Sequence, residues 1–478
     1  MFKRLFGRGK KSPKVFVIGL DCAPPELLFD LWKDDLPNLK KLREGGLYGV
    51  LMSSIPCITV PAWSCMTSSK DPGTLGIYGF RNRADYSYDN RFIAMGNTVK
   101  EKRVWEILGE AGKQSIIVGV PQTYPVKPIN GHLISSFLTP FTDRPSIQWT
   151  HPPSLRGEIE QLLAPEQYDV DVREFRTDDK EYILRQINDM TRKRFKVLRY
   201  LLDNKPWDFF MFVEMGVDRI HHALWAHHDA SHHKHDPNSP YIHAIRDYYR
   251  YLDEEIGTLL ERLPEETHII TVSDHGVKGM KGGICINEWL HREGYLAFKE
   301  EPTGDKLTRL DDLEIDWEKT TAWGDGGYYA RIMINVAGRE PQGTVPQAEY
   351  ESFRDRLAAH ICSIPDPDGN PIDTVAYKPE EIYKVARGTP PDLLVYLGNL
   401  SWRSVGTMGH GDVYTFENDT GPDDANHAPN GIIIITPPER DRGGRRIEGA
   451  QLMDFAPTVL DIFDLPAPAD MQGKVIPR

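Results

Sequence analysis

Short runs of branched and aromatic residues, each bounded by polar or turn-forming residues, recur along the chain and predict buried strands. The clearest of these runs lie at residues 15–20, 207–213, 267–273 and 431–435. Between them, stretches such as residues 241–263 carry apolar side chains at helical spacing. Strands that alternate with helices in this way predict an α/β fold.

Two parts of the chain interrupt this alternation. Residues 146–205 are charged and weakly apolar, and we predict a mostly helical insertion that covers a site on the sheet. Residues 300–390 are rich in turn-forming residues and predict a second, smaller insertion. We divide the chain into a basic tail, residues 1–13, and one domain, residues 14–478. The core of this domain is expected at 14–145, 206–299 and 391–478.

The charge and the cysteines narrow the class of protein. A formal charge of −13, from 57 basic and 70 acidic residues, argues against a stable complex with nucleic acid. Five cysteines form an odd set without paired metal-ligand spacing, so we expect reduced thiols and a cytoplasmic location. No apolar run is long enough for a transmembrane segment, and the sequence therefore favours a soluble enzyme.

Carboxylates and imidazoles stand where predicted strands end. Asp21 follows the first strand directly, and Asp274 and His275 follow the strand at residues 267–273. Open α/β sheets bind ligands beyond the carboxyl ends of their strands. These side chains are therefore candidate metal ligands, although a surface Asp-His pair in a loop is the plain alternative. His427 lies just before the strand at 431–435 and reaches the same rim.

A second candidate pair follows the strand at residues 207–213. Asp218 and His222 are four residues apart, so on a helix they share one face and can hold one metal ion. A nearby cluster of five histidines lies among Asp, Ser, Pro and Asn, which is typical of a solvated loop. These histidines are His227, His228, His232, His233 and His235.

Thr59 is the candidate nucleophile. It stands before Pro61 in what the sequence predicts to be a strand-to-helix turn, where the positive end of a helix favours an anionic phosphoryl group. A threonine that only caps the helix is the alternative. Oxygen and imidazole ligands without thiolate suit two divalent ions, which can clamp a phosphoryl group and deprotonate an alcohol.

Taken in order, these motifs resemble the alkaline phosphatase superfamily, in its branch of type I phosphodiesterases and nucleotide pyrophosphatases. The signals are Gly-Leu-Asp21, Thr59-Val-Pro61, Asp218 with His222, Ser-Asp274-His275-Gly, and His427 four residues before Gly431. The resemblance implies a mostly parallel central sheet flanked by helices, with a helical cap insertion and a second smaller one. It also implies that residues 14–478 form a catalytic domain.

The resemblance further implies roles for individual residues. Asp21, Asp274 and His275 would bind one metal ion together with the oxygen of Thr59, and Asp218, His222 and His427 would bind the other. Thr59 would attack phosphorus and form a phospho-threonine intermediate that water then hydrolyses. The usual ion of the family is zinc, with manganese as the alternative, and the substrate would be a small phosphate ester or nucleotide.

Some positions depart from the family pattern. An asparagine that holds a phosphoryl oxygen is often found roughly twenty residues after the nucleophile. Here Asn82 is the candidate, with Arg81 as a cationic substitute. Ala62 and Trp63 replace the polar residues common in eukaryotic members, so the substrate preference of those members does not transfer. His410 is either a substrate contact near the rim or a loop histidine.

Other functions remain open alternatives to a phosphodiesterase. Neither Cys57 nor Cys65 begins the Cys-x-Pro-x-Arg pattern that a sulfatase needs. A phosphomonoesterase would use the same ligands, and a serine-dependent phosphoglycerate mutase would be a phosphotransferase relative. A non-catalytic metal-binding protein predicts a missing nucleophile or a broken ligand set. Neither defect is seen here.

Overall fold

The computed structural model describes residues 12–302, 306–440 and 443–477. Most of the basic tail predicted at residues 1–13 therefore lies outside the described residues. The described residues form twenty strands: β1 Lys14–Leu20, β2 Leu47–Met52, β3 Arg81–Arg83, β4 Arg91–Ile93, β5 Ser115–Val118, β6 Gly131–Ile134, β7 Thr150–His151, β8 Phe209–Glu214, β9 Thr267–Val272, β10 Gly276–Gly279, β11 Gly282–Cys285, β12 Ala322–Asp325, β13 Ala330–Ile334, β14 Val375–Tyr377, β15 Leu393–Tyr396, β16 Trp402–Val405, β17 Tyr414–Thr415, β18 Ala425–Ala428, β19 Asn430–Thr436 and β20 Arg445–Gln451.

Twelve α-helices connect or cover these strands within the described part of the chain. They are α1 Pro37–Glu44, α2 Thr59–Ser68, α3 Pro72–Leu75, α4 Val104–Glu110, α5 Ser154–Leu163, α6 Lys180–Asn204, α7 Gly216–His228, α8 Ala244–Leu260, α9 Ile286–Arg292, α10 Tyr350–Cys362, α11 Pro379–Ile382 and α12 Phe455–Ile462. None of them combines the length and the apolar character that a membrane crossing requires.

Nine strands form one large sheet in the order β20-β2-β19-β9-β1-β8-β5-β6-β7. The central strands β9, β1, β8, β5 and β6 all run parallel, and only β19 and β7 run against their neighbours. The predicted mostly parallel sheet flanked by helices is therefore confirmed. Its carboxyl-terminal edge is formed by strands whose next residues are the candidate ligands.

Alternate residues of the central strands face two separate cores. On β1, Phe16 and Ile18 pack with helices α6, α7 and α8, whereas Val15 and Val17 pack with α2, α4 and α12. A strand covered by helices on both faces needs this continuous apolar sequence, which explains why the runs were recognisable. The sheet edge is thereby held between two helical layers.

The two predicted insertions are built differently. Residues 146–205 are mostly helical, but α6 packs its apolar face on the large sheet, and only the segment after α5 reaches the site. Residues 300–390 contribute β12, β13 and β14 to a small antiparallel sheet. This sheet also contains β15, Leu393–Tyr396, from the region predicted as core. The small sheet therefore extends into the chain beyond residue 390.

Candidate active site

Three predicted ligands meet where β1 and β9 end side by side. Asp21 follows β1, and Asp274 and His275 follow β9, which pairs with β1 in parallel. Nε2 of His275 lies 3.2 Å from Asp274 Oδ2 and 3.7 Å from Asp21 Oδ1. All three side chains are fully buried. We call these residues, Asp21, Asp274 and His275, the interior set.

Three further ligands meet beside them. Asp218 and His222 lie one turn apart on α7, which begins after β8, and His427 lies on β18. Nε2 of His222 is 3.2 Å from Nε2 of His427 and 3.3 Å from Asp218 Oδ1. We call Asp218, His222 and His427 the cavity set. In each set, one possible ligand atom per residue lies within 4.8 Å of the others.

Thr59 stands between the two sets as the first residue of α2. Its Oγ1 lies 3.3 Å from Nε2 of His275, and the residue also lines the cavity that the second set faces. The first amide groups of a helix have no partner within the helix, so the start of α2 offers donors and a positive dipole end. The Thr59 hydroxyl therefore contacts the interior set, and Thr59 lines the same cavity as the cavity set.

Main-chain groups and one indole support the interior set. Trp63 Nε1 donates to Asp21 Oδ2 at 2.7 Å, and the amide of Cys22 donates to Asp274 Oδ1 at 3.2 Å. Nδ1 of His275 donates to the carbonyl of Gly276 at 3.0 Å. Because a carbonyl only accepts, the proton of this imidazole is on Nδ1 and its Nε2 is a free ligand atom.

The cavity set is supported chiefly by side chains. Nδ1 of His222 donates to Asp423 Oδ1 at 2.7 Å. Asp423 Oδ2 in turn accepts from Arg176 Nε at 3.2 Å and from the Tyr328 hydroxyl at 3.0 Å. This chain fixes the ring of His222 and directs its Nε2 toward His427.

The other two members of the cavity set have their own partners. Arg219 Nη1 donates to Asp218 Oδ2 at 2.8 Å, and the same guanidinium binds Asp171 through two donors at 2.9 and 2.7 Å. Nδ1 of His427 donates to the carbonyl of Cys57 at 3.0 Å. The Nε2 atoms of His222 and His427 therefore both face Asp218 Oδ1, which is the arrangement a shared cation needs.

The pKa values of the buried ligands differ between the two sets. Burial, together with the carboxylates of Asp218 and Asp21, raises the pKa of Asp21 and of Asp274 well above the usual range. Burial lowers the pKa of His275 to about 4. Burial also opposes the charged form of His222, but the carboxylates of Asp423 and Asp218 raise its pKa to about 10. Resistance to ionisation is what closely packed acidic ligands such as those of the interior set are expected to show. In the cavity set, in contrast, burial is outweighed by His222 and Arg219, which hold the pKa of Asp218 well below the usual range.

Unpaired oxygen atoms test whether cations fit here. Asp21 Oδ1, Asp274 Oδ2 and Asp218 Oδ1 are buried and have no hydrogen-bond partner among the described residues. Buried carboxylate oxygens are normally hydrogen-bonded, because leaving them unpaired costs about 1–3 kcal/mol or more. Asp21 Oδ1 and Asp274 Oδ2 both face Nε2 of His275. Asp218 Oδ1 faces Nε2 of His222 and of His427. Two divalent ions of the zinc type would satisfy all of these atoms.

A cavity of about 560 Å³ opens on the cavity set and Thr59. Two kinds of side chain dominate the rest of its wall. The cations are Arg81, Arg176, Arg219, Arg331 and Arg403, and the aromatic residues are Phe80, Phe137, Phe175, Tyr328 and Tyr329. A wall of this kind suits an anionic molecule that also has a flat apolar part. No member of the interior set lines this cavity.

Three other predicted residues are placed less directly. Arg81 lines the cavity, but Asn82 does not. The side-chain amide of Asn82 accepts from the main-chain amide of Tyr78 and donates to the carbonyl of Gly79, so it holds the turn before β3. Its contact with a phosphoryl oxygen stays a prediction. His410 lies outside the cavity, where its Nε2 contacts the Thr407 hydroxyl.

The histidine cluster at the end of α7 and in the segment after it forms no common site among the described residues. His227 contacts Ser239, His232 contacts the carbonyl of Asp424, and His235 contacts the carbonyl of Ala226. The functional residue that sequence reasoning missed is Asp423, the partner of His222. Its signal was an acidic pair, Asp423 and Asp424, only a few residues before His427.

Comparisons with known proteins agree with this geometry. The family model for type I phosphodiesterase/nucleotide pyrophosphatase matches residues 15–423. Human ectonucleotide pyrophosphatase/phosphodiesterase 5 aligns with a TM-score of 0.53 and 13% identity, over 95% of this chain and 96% of that one. An inactive murine variant of the same protein in complex with AMP gives 0.53 and 14%, with the same coverage. Identity this low shows a shared fold alone. No curated protein sequence matches the chain.

Proposed function

Because the chain belongs to the type I phosphodiesterase and nucleotide pyrophosphatase family, and is therefore a phosphate-ester hydrolase, we propose that Thr59 cleaves phosphodiester or pyrophosphate bonds of nucleotide-like substrates. One observation carries this proposal. The Thr59 hydroxyl lies between two buried ligand sets and at the wall of a cavity lined by arginine and aromatic residues. That is the position of a nucleophile that must reach phosphorus.

In the proposed first step, Thr59 Oγ1 attacks phosphorus in line with the leaving group. The bond from phosphorus to the leaving oxygen breaks as the bond to Oγ1 forms, which gives a phospho-threonine. Water then attacks the same phosphorus atom from the vacated side and releases Thr59. The start of α2 and Arg219 favour the anionic phosphoryl group throughout both steps.

We assign one divalent ion to the interior set and one to the cavity set. Carboxylate and imidazole ligands without thiolate favour zinc, with manganese as the alternative. When bound, these ions would lower the pKa of the Thr59 hydroxyl and neutralise charge on the entering and leaving oxygens. Nδ1 of each imidazole has a carbonyl or carboxylate partner, so Nε2 is the atom of each ring that would bind an ion.

The cavity wall supports a nucleotide-like substrate. Phe175 and Tyr328 line the cavity beside the cavity set. Aromatic side chains in a cavity wall suit the flat ring of a nucleobase. The murine relative that shares the fold is described in complex with AMP, which agrees with this chemistry. The predicted cytoplasmic location remains a prediction.

The test uses metal-stripped protein to which zinc or manganese is restored. Hydrolysis of a para-nitrophenyl phosphodiester is compared with that of the matching phosphomonoester. We expect metal-dependent cleavage, with the higher kcat/KM for the diester. A higher kcat/KM for the monoester would instead identify a phosphomonoesterase, and cleavage of neither would favour a phosphotransferase or a non-catalytic protein.

The role of Thr59 is tested with Thr59→Ala, which should lower kcat about a thousandfold or more because the nucleophile is removed. Thr67→Ala is the matched control. Thr67 lies further along α2, and its hydroxyl donates to the carbonyl of Trp63 at 2.7 Å, away from both ligand sets. If the folded, metal-loaded Thr59→Ala protein kept the parent rate, Thr59 would not be the nucleophile.

A further inference from the structure

A second cavity of about 340 Å³ adjoins the cavity described above. The two share six lining residues: Arg81, Gly326, Gly327, Arg331, Arg403 and Thr420. Shared lining residues place the two cavities side by side. A molecule whose reacting group lies at Thr59 therefore has the second cavity beside it for another part.

The second cavity carries more positive than negative charge. Five arginines and three aspartates line it, although the whole chain has a formal charge of −13. Arg91 pairs with Asp325 at 2.7 Å and with Asp311 at 3.4 Å, and Arg331 shares Asp325 at 3.3 Å. Arg81 has no ion pair within the described ranges. Three carboxylates therefore face five guanidinium groups and cannot neutralise all of them.

Arg403 gives the strongest indication of a missing partner. It lies on β16 at the junction of the two cavities and is only 4% exposed. Its one carboxylate partner is Asp419, at 3.4 Å, and its Nε and Nη1 atoms are buried without any hydrogen-bond partner in the described structure. A guanidinium has five donors, and leaving most of them unpaired inside a protein is costly.

The same feature recurs on a second arginine of this cavity. Nε of Arg91 is also buried and unpaired among the described residues. Phosphate is the anion whose several oxygens match the forked donors of arginine. Two incompletely paired guanidinium groups around one space therefore indicate a binding site for a phosphate group.

We propose that the second cavity is a subsite for a further phosphate group on the substrate. The subsite rests on the proposed function for the reacting end, because it adds a requirement to that substrate. The preferred substrate then carries at least one anionic group beyond the phosphorus that Thr59 attacks. A pyrophosphate leaving group meets this requirement, and an uncharged alcohol leaving group does not.

The test compares two adenylyl substrates that differ in the leaving group, ATP and the para-nitrophenyl ester of AMP. We expect Arg403→Gln and Arg91→Gln each to lower the ratio of kcat/KM for ATP to kcat/KM for the ester by about tenfold or more. Arg91→Gln removes a less buried side chain and so covers the case in which Arg403→Gln does not fold. Arg262→Gln is the control. Arg262 lies just after α8, pairs with Asp203 and lines neither cavity, so the ratio should stay unchanged.

A binding measurement separates this proposal from the proposed function. Calorimetry of inorganic pyrophosphate with the metal-loaded protein needs no turnover, and we expect about tenfold weaker binding by either variant than by the parent. If the parent cleaved neither substrate, the proposed function would fail, and weakened binding would still support the subsite. Equal losses of kcat/KM for ATP and for the ester, or unchanged pyrophosphate binding in both variants, would overturn the proposed subsite.

Discussion

The interior set and the cavity set use the same kinds of ligand, but the fold holds them by different means. Each residue of the interior set follows a central strand, and its partners are main-chain groups and one indole. The cavity set lies on a helix and a short strand, and its partners are mostly side chains: Arg219 is next to Asp218 in the chain, and Asp423 comes from a distant segment. Within the described chain, only the His427 side chain of this set has a main-chain partner, the carbonyl of Cys57. The sheet thus fixes one set, and loops and insertions adjust the other.

The charges around the two sets differ in the same way. Asp21 and Asp274 face each other with no arginine or lysine bonded to either carboxylate in the described structure. Asp218, in contrast, pairs with Arg219, and Asp423 pairs with Arg176 and His222. The interior set therefore depends on a bound cation for neutrality, whereas the cavity set is partly neutralised by the protein itself.

Among the changes that compare the two sets, removal of an interior ligand should have the largest effect. We expect Asp274→Asn to abolish binding of one ion per chain and to lower kcat/KM by more than about a hundredfold, since a ligand matters more than an outer partner. Ion content by atomic emission and hydrolysis of the para-nitrophenyl diester measure both quantities.

The control for this change is Asp208→Asn, at the opposite end of β8, where the carboxylate accepts from the amide of Gln114 at 2.9 Å. That variant should keep its full ion content and its rate. Full ion content in folded Asp274→Asn protein would show that the interior set is not a metal site.

Removal of a residue that holds a ligand in place should weaken ion binding at one set and not at the other. We expect Asp423→Asn to weaken ion binding at the cavity set by about 10–100-fold, because His222 loses the carboxylate that orients and polarises it. Titration of metal-stripped protein with zinc should then resolve one tight and one weakened site.

Asp424→Asn is the matched control for that titration. Asp424 is the next residue, and only its main-chain groups contact the neighbouring histidines, with its carbonyl accepting from His232 and its amide donating to the carbonyl of His222. Equal weakening in the two variants would mean that the acidic segment as a whole, and not the Asp423 carboxylate, supports the site.

The difference between the interior set and the cavity set also explains which residues could be predicted from the sequence. Asp21 and Asp274 follow apolar runs that only buried strands produce, so their meeting at one sheet edge follows from parallel pairing. Asp423 lies in an irregular segment 201 residues after His222, and no local pattern connects the two. Ligands held by the sheet are therefore visible in the sequence, and partners brought in by loops are not.

Two further differences between expectation and structure have related causes. Neighbouring residues on a strand point to opposite faces, so on β3 Arg81 reaches the cavity while Asn82 turns inward. Residues 391–478 were predicted to belong to the core, whereas β15 belongs to the small sheet, because its pairing with β13 and β14 depends on distant residues. The five arginines of the second cavity lie on β3, β4, β13, β16 and the segment between α9 and β12, and no motif connects them.

A smaller effect is expected when the indole partner of the interior set is removed. Trp63→Phe keeps an aromatic ring in the buried position but deletes the donor to Asp21, which lies at 2.7 Å. We expect zinc affinity at the interior set to fall about threefold to tenfold, because a hydrogen bond to a charged group is lost while the main-chain partners remain. Trp105→Phe, in the same core, is the control, and an equal loss there would point to packing.

The smallest expected effect is on the Tm of metal-stripped protein at neutral pH, which substitutions in the two sets should change in opposite directions. Asp274→Asn should raise Tm by about one to three degrees, because it removes one of two facing carboxylates. Asp218→Asn should lower Tm, because it leaves Arg219 with one fewer carboxylate partner.

A carboxyl whose pKa is higher in the folded than in the unfolded protein costs stability once it is ionised, and this cost disappears as the pH falls. The Tm advantage of Asp274→Asn should therefore shrink toward about pH 4, near the pKa of an unfolded carboxyl. A Tm difference that stays constant with pH would mean that repulsion between the two carboxylates is not its source.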